Sequence, residues 1–367
     1  MRLCTGRYKR FSDSTNVALL AWLVVVVIAA ILPYVPSLDG EFVLDDHELI
    51  VDNPIVHSLS SLPRAFATHY LIGWADTESQ YYRPMTTVSF QINYALSGPD
   101  PAAFRFTNLV LHVITSVFVS LITFRLVGSI LAAGVAGIAF GVQPSHAESV
   151  AWISGRTDLL ASVFALATVL IFLAGLNCKQ GFTWLLGLTC SALALCAMLA
   201  KESTLILPGL FLIYVWAFGS KSKLPGKTAV GWFFIVVSSA IIYFLLRKEV
   251  LGTLASGIEP GYLLKERMLR LGIVYSTYLW MLFVPHDCRF FYGHVTKNMT
   301  FTPIDLALLG VPITLAAIAM WSRKRTPVVA FSLFTLSNSL YYESKLAWAR
   351  RVTQTNLQHK LPSTIRA

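Results

Sequence analysis

The chain has 367 residues, 55% of them hydrophobic and 13% charged, with a mean hydropathy of +0.63 and a formal charge of +10. A soluble domain carries about 25% charged residues, so a water-soluble globule of this size is excluded. The positive charges lie in short stretches beside apolar runs, where membrane topology accounts for them, and no nucleic-acid partner is expected.

In chain order, a basic start (Arg2, Arg7, Lys9, Arg10) leads into an apolar run at 17–35. No small-residue cleavage site follows, so the run is expected to stay as a signal anchor with residues 1–16 in the cytoplasm. A long loop covers 36–106. Further apolar runs follow at 107–127, 129–142, 159–176, 183–200, 204–218, 229–246, 268–284 and 304–321, with a weaker one at 328–340. Runs near 20 apolar residues are what a bilayer requires of a helix. They predict an all-α, polytopic integral membrane helix bundle of about nine or ten spans over 17–340, then a polar, basic tail at 341–367. The last run is short and rich in Ser and Thr, which suggests a chain cut from a longer protein. The cysteines, Cys4, Cys178, Cys190, Cys196 and Cys288, show neither a disulfide framework nor a zinc spacing.

Loop charge sets the orientation. Arg125, Lys179 and the cluster Lys221, Lys223, Lys227 fall on the side of the basic N-terminus, so six spans agree on one topology. The loop 36–106 and the turns 143–158 and 201–203 then share the outer face. That loop holds nine of the chain's nineteen acids: Asp39, Glu41, Asp45, Asp46, Glu48, Asp52, Asp76, Glu78 and Asp100. Beyond 268 the sequence admits two topologies. A crossing at 268–284 puts Arg323, Lys324 and Arg325 outside, against the rule. A re-entrant or interfacial helix, entered through Lys265, Arg267 and Arg270, returns them to the inside.

The outer face collects the polar chemistry. The first loop offers Asp45, Asp46 and Arg83 with Tyr81 and Tyr82. The second offers His146, Glu148, Arg156 and Asp158, and the third offers Lys201 and Glu202. A carboxylate base among fixed cations suits transfer of a sugar from a lipid phosphate. The carboxylate takes a proton from the attacking hydroxyl, and the cations stabilise charge on the departing phosphate. Inversion by single displacement needs one base and no covalent nucleophile. Plainer readings exist for each element. Adjacent aspartates in a loop are commonly just solvated, and Lys201-Glu202 reads equally well as a polar turn. Asn108 and His112 share a helix face, where polar residues more often bridge helices than bind ligands. His146 and Glu148, two apart, fall short of a metal set, so a divalent metal is not indicated and no cofactor is assigned. Asn298-Met299-Thr300 is a formal glycosylation sequon.

Two rival functions come from other classes. A transporter or flippase predicts ionisable groups deep in the spans and two related halves; the spans are nearly free of charge and no internal repeat is found. An inactive scaffold subunit would bind the same lipid without turnover.

The stretches Phe42-Val43-Leu44-Asp45-Asp46, Tyr82-Arg83-Pro84-Met85-Thr86, Asn108-Leu109-Val110-Leu111-His112, His146-Ala147-Glu148-Ser149-Val150, Gly155-Arg156-Thr157-Asp158 and Lys201-Glu202 follow in that order. Together they resemble the GT-C superfamily of glycosyltransferases, and more closely the membrane half of TMTC-type protein O-mannosyltransferases and their bacterial relatives. The resemblance covers 42–208. It implies a polyprenyl- or dolichyl-phosphate sugar as donor, with mannose as the sugar, and a protein Ser or Thr as acceptor. It also implies a bacterial inner membrane or endoplasmic reticulum location, active face outward or lumenal. Asp45 would be the base and Asp46 its orienting partner, with Arg83, His146, Glu148, Arg156, Lys201 and Glu202 around the lipid-phosphate and sugar. The family carries tetratricopeptide repeats after the membrane part, and this sequence shows none.

Overall fold

The computed structural model describes residues 13–70, 81–176, 184–219, 226–254 and 310–333, with isolated residues 276, 279, 280, 307 and 335. Most of the segment 268–284, the sequon at Asn298, the basic N-terminus, the tail 341–367 and the cysteines Cys4, Cys178 and Cys288 lie outside the described residues. Among those described, every regular element is helical.

Helix α1, Asp13–Ile31, runs on as a 3-10 helix over Leu32–Asp39. The tightening falls where Pro33 and Pro36 enter, because proline lacks the N–H that an α-helical ladder needs. Next come α2 (Leu62–Ala67), α3 (Pro84–Ser97) and α4 (Pro101–Val127). Helix α4 begins six residues ahead of the predicted run. Asp100 caps it by accepting from the Ala102 N–H at 3.0 Å, Pro101 fills the first turn, and Gly128 closes it at φ 74°. At 27 residues it is about 40 Å long, enough to cross a bilayer.

Helix α5, Ile130–Gly141, is followed after a 49° bend by residues Pro144–Ala151, which include the short α6 (Ala147–Ala151). Gly134, Gly137 and Gly141 recur at helical spacing and meet Trp22, Val26 and Ala30 of α1. A Cβ on Gly134 would come within 2.3 Å of the Trp22 ring. Small residues at such spacing let two membrane helices approach closely. The bundle continues with α7 (Arg156–Leu176), α8 (Trp184–Ala200), α9 (Leu207–Phe218) and α10 (Gly226–Leu251). A serine pair joins α8 to α10, with Ser191 Oγ 2.9 Å from Ser239 Oγ. Phe172 of α7 stacks on Phe211 of α9 at 4.0 Å.

Among the described residues three helical stretches are long and apolar enough to cross a membrane, or four with the bent pair taken as one span. The helical membrane architecture is therefore as expected; the larger number of spans is an expectation the described residues do not reach. The 36–106 segment differs from its sequence reading as a loop. Its described residues form short helices packed around a core of Leu49, Ile50, Val56, Tyr70, Phe90 and Phe104, joined by Ile153. Helix α3 hid in the hydropathy because its buried face carries Thr86, Gln91 and Asn93.

A second compact unit takes Ile213–Ser222 and the chain from Ala255. Within it lies α11, Gly310–Ser322. Arg323 donates from Nε to the Trp216 carbonyl at 2.8 Å, and its guanidinium lies 4.9 Å from that indole ring. Arg325 sits 5.3 Å from the Trp321 ring.

Candidate functional site

The first-loop, second-loop and third-turn residues meet at one end of the first unit. Tyr34, near the end of the first span, donates its hydroxyl to the Gln143 carbonyl at 3.0 Å. Arg105, near the start of α4, donates to the carbonyls of Gly40, Glu41 and Ala151. These bonds tie the start of the first loop to the second.

The two aspartates that adjoin in sequence part in space. Asp45 is exposed, and Asp46 is wholly buried. One Asp46 oxygen accepts from the Val43 N–H at 3.0 Å; the other accepts from the Ser154 N–H at 2.9 Å and from the Ser154 hydroxyl. Burial pushes the Asp46 carboxyl above its ordinary range, against those donors and the Arg105 charge, which hold it down. The turn that leads into the pair is strained. Leu44 has φ 51°, in the left-handed region that a branched side chain rarely enters.

Ser154 lies one turn ahead of Asp158 at the start of α7. Asp158 pairs with the Lys201 ammonium, which is buried while Asp158 is partly exposed. Glu202 follows Lys201 and receives Arg83 in a two-pronged pair, Nε to Oε2 at 3.0 Å and Nη2 to Oε1 at 2.6 Å. Both side chains are largely buried. Burial works to raise the Glu202 carboxyl, but the Arg83 guanidinium outweighs it and holds Glu202 at about 2. Glu202 in turn holds Arg83 above its ordinary value, against burial. Arg83 also lies 4.5 Å from the Tyr81 ring and 5.5 Å from that of Tyr70. Three linked pairs therefore lie along this end: Asp46–Ser154, Asp158–Lys201 and Glu202–Arg83, with Arg83 against Tyr70.

Three predicted residues stand differently. Arg156 is fully buried and uses all five of its donors on neutral protein oxygens: Asn108 Oδ1, the Ser89 carbonyl and hydroxyl, Asn93 Oδ1 and the Phe104 carbonyl. It clamps α3 to α4. His146 gives Nδ1 to the Phe140 carbonyl at 3.0 Å and sits 5.6 Å from the His112 ring, against the bundle. Glu148 is exposed on α6. Its carbonyl would lie 2.6 Å from a Cβ placed on Gly155, so only glycine lets α7 start this close to α6. Asn108 and His112 bridge elements, to the Trp152 carbonyl at 3.1 Å and the Gly141 carbonyl at 3.0 Å. Among the described residues no three His, Cys, Asp or Glu converge as a metal site.

Ser154, Arg105 and Tyr70 were not singled out from the sequence. Arg105 carried a signal, since it lies three residues before Asn108 on the same helix face. A lone serine and a lone tyrosine in a polar loop carried none.

The class of protein this defines is a helical membrane protein with a cross-linked polar end. Its sequence relatives are narrower. The chain is 33% identical over 172 residues to a protein O-mannosyl-transferase of Caenorhabditis elegans, covering 43% of this chain and 24% of that protein. It is 32% identical over 197 residues to protein O-mannosyl-transferase TMTC3 of Mus musculus, covering 52% and 21%. It is 34% identical over 200 residues to TMTC1 of Homo sapiens, covering 51% and 22%. The chain thus spans a quarter or less of the length of these relatives, while about half of it is related to TMTC-type proteins. No family model matches the chain, and no solved structure matches it.

Proposed function

We propose that this chain is the membrane part of a glycosyltransferase that moves a sugar, mannose by the names of its relatives, from a polyprenyl- or dolichyl-phosphate donor to a hydroxyl of an acceptor protein. The observation that carries this reading is the separation of Asp45 from Asp46. One carboxylate is exposed to meet an acceptor, while its neighbour is buried and anchored to Ser154.

In this reading Asp45 accepts the proton of the acceptor hydroxyl. The hydroxyl oxygen forms a bond to the anomeric carbon as the bond from that carbon to the phosphate oxygen breaks. The electron pair leaves on the lipid phosphate, and the configuration inverts. Asp46 positions Asp45 through the strained turn at Leu44. Lys201, held by Asp158, fixes positive charge near the departing phosphate, and Arg83, held by Glu202, lines the sugar side of the pocket. Glu148 lies at the rim, and Arg156 and His146 position the elements around the site. The active face is the lumenal or extracytoplasmic one.

The test is a transfer assay with purified full chain, a panel of lipid-phosphate sugars and a Ser/Thr-rich acceptor peptide. Transfer from the mannosyl lipid supports the reading. Transport of the lipid across a vesicle bilayer without any transfer would replace it with a flippase.

A further inference from the structure

Tyr70 is buried to 7% exposure, and among the described residues its hydroxyl has no hydrogen-bond partner. Its backbone is fixed, with the Tyr70 N–H donating to the Tyr81 carbonyl at 2.9 Å. Its ring is held among Leu49, Ile50, Phe90 and Phe104 and lies under the Arg83 guanidinium. A buried phenol normally finds a partner, because an unmet donor and acceptor lose their water without replacement. Burial also keeps this phenol protonated well above its ordinary range, so it remains a donor as well as an acceptor.

The charges around it narrow the ligand. Asp45, Asp46, Arg83 and Arg156 all lie close enough to act on the phenol, two of each sign. Arg83 is committed to Glu202 and Arg156 to neutral oxygens. No surplus positive field is left there for a phosphate. A neutral group that both donates and accepts fits this balance, and a sugar hydroxyl is such a group.

We infer that Tyr70 is a positioning and specificity residue whose hydroxyl bonds a sugar hydroxyl of the lipid-linked donor beside Asp45. The inference rests on the glycosyltransferase reading and adds to it the placement of the sugar: the glycosyl ring lies toward Tyr70 and the phosphate toward Lys201.

The test uses Tyr70→Phe, which keeps the ring and its contact with Arg83. Equilibrium binding to the purified full chain is measured for dolichyl-phosphate-mannose and for bare dolichyl phosphate. The expected result is about a tenfold loss of affinity for the mannosyl lipid, the scale of one hydrogen bond, with bare dolichyl phosphate unchanged. Without ligand, the variant should melt at or above the wild-type temperature, because an unpaired buried hydroxyl is removed. Equal losses for both lipids would place Tyr70 at the phosphate and overturn the inference. No loss for either, or a lower melting temperature without ligand, would overturn it as well. If wild type binds neither lipid, the glycosyltransferase reading itself fails, and that outcome is distinct because it appears before any substitution is made.

Discussion

Arg83 and Glu202 stand 119 positions apart in the chain and meet in a two-pronged, largely buried ion pair. The pair joins the start of α3 to the turn between α8 and α9. It therefore ties α3 to the bundle. Geometry of this kind is specific to arginine, whose planar fork matches a carboxylate.

Removing one partner leaves the other buried and unpaired. Glu202→Gln or Arg83→Met should cost about 3–5 kcal/mol of stability. Arg83→Lys keeps the charge but loses one prong, and should also lose stability, by less. Thermal unfolding in detergent micelles orders the variants: a wild-type melting temperature for Glu202→Gln would show the pair to be dispensable.

The same pair sets an acid limit. Glu202 is held at about 2, below its ordinary 4.5, so its contribution is fully present above 4.5. That stability is lost as pH falls from 4.5 through about 2, since the unfolded chain takes up the proton first. Asp46 acts with the opposite sign. Its carboxyl is raised above 3.8, so the folded state binds the proton more readily and gains relative stability as pH falls toward 3.8. Melting temperatures of wild type and Glu202→Gln, followed from pH 6 downward, should converge in the acid range. Parallel curves would show that Glu202 is not held low.

Leu44 is the strained residue of the aspartate turn. Glycine enters the left-handed region without penalty, whereas a side chain there costs about 1–2 kcal/mol. Leu44→Gly should leave stability near or above wild type, although glycine normally weakens a loop. Leu44→Val, branched at Cβ, should lower it. The reverse order in thermal melts would mean that the turn is not held at φ 51°.

Gly155 has no room for a side chain against the Glu148 carbonyl and Ser149. Gly155→Ala should force α6 from α7 and cost about 1–3 kcal/mol. It should also weaken the Asp46–Ser154 link, because Ser154 is its neighbour. Lower stability together with reduced transfer activity supports this coupling; an unchanged melting temperature would show that the elements part freely.

Much of this arrangement was legible from hydropathy. The described helices lie close to the apolar runs, and the pairs Tyr34–Gln143, Asp46–Ser154 and Arg83–Glu202 join segments that are far apart in sequence. Which charge meets which was beyond the sequence. Lys201 meets Asp158 at the start of α7, and Glu202 meets Arg83 just ahead of α3, a helix too polar on its buried face to resemble a span. Nor could adjacency reveal that Asp45 is exposed and Asp46 buried. That difference comes from the turn at Leu44 and from Ser154, 108 positions away.

The exposed member of that pair carries the proposed chemistry, and replacing it tests the account most directly. With purified chain, lipid-phosphate mannose and acceptor peptide, Asp45→Asn should lower kcat by about a hundredfold or more, the scale of a lost general base. Affinity for the donor lipid and the melting temperature should stay at wild-type values. Transfer at the wild-type rate by Asp45→Asn would contradict the assignment of Asp45 as the base.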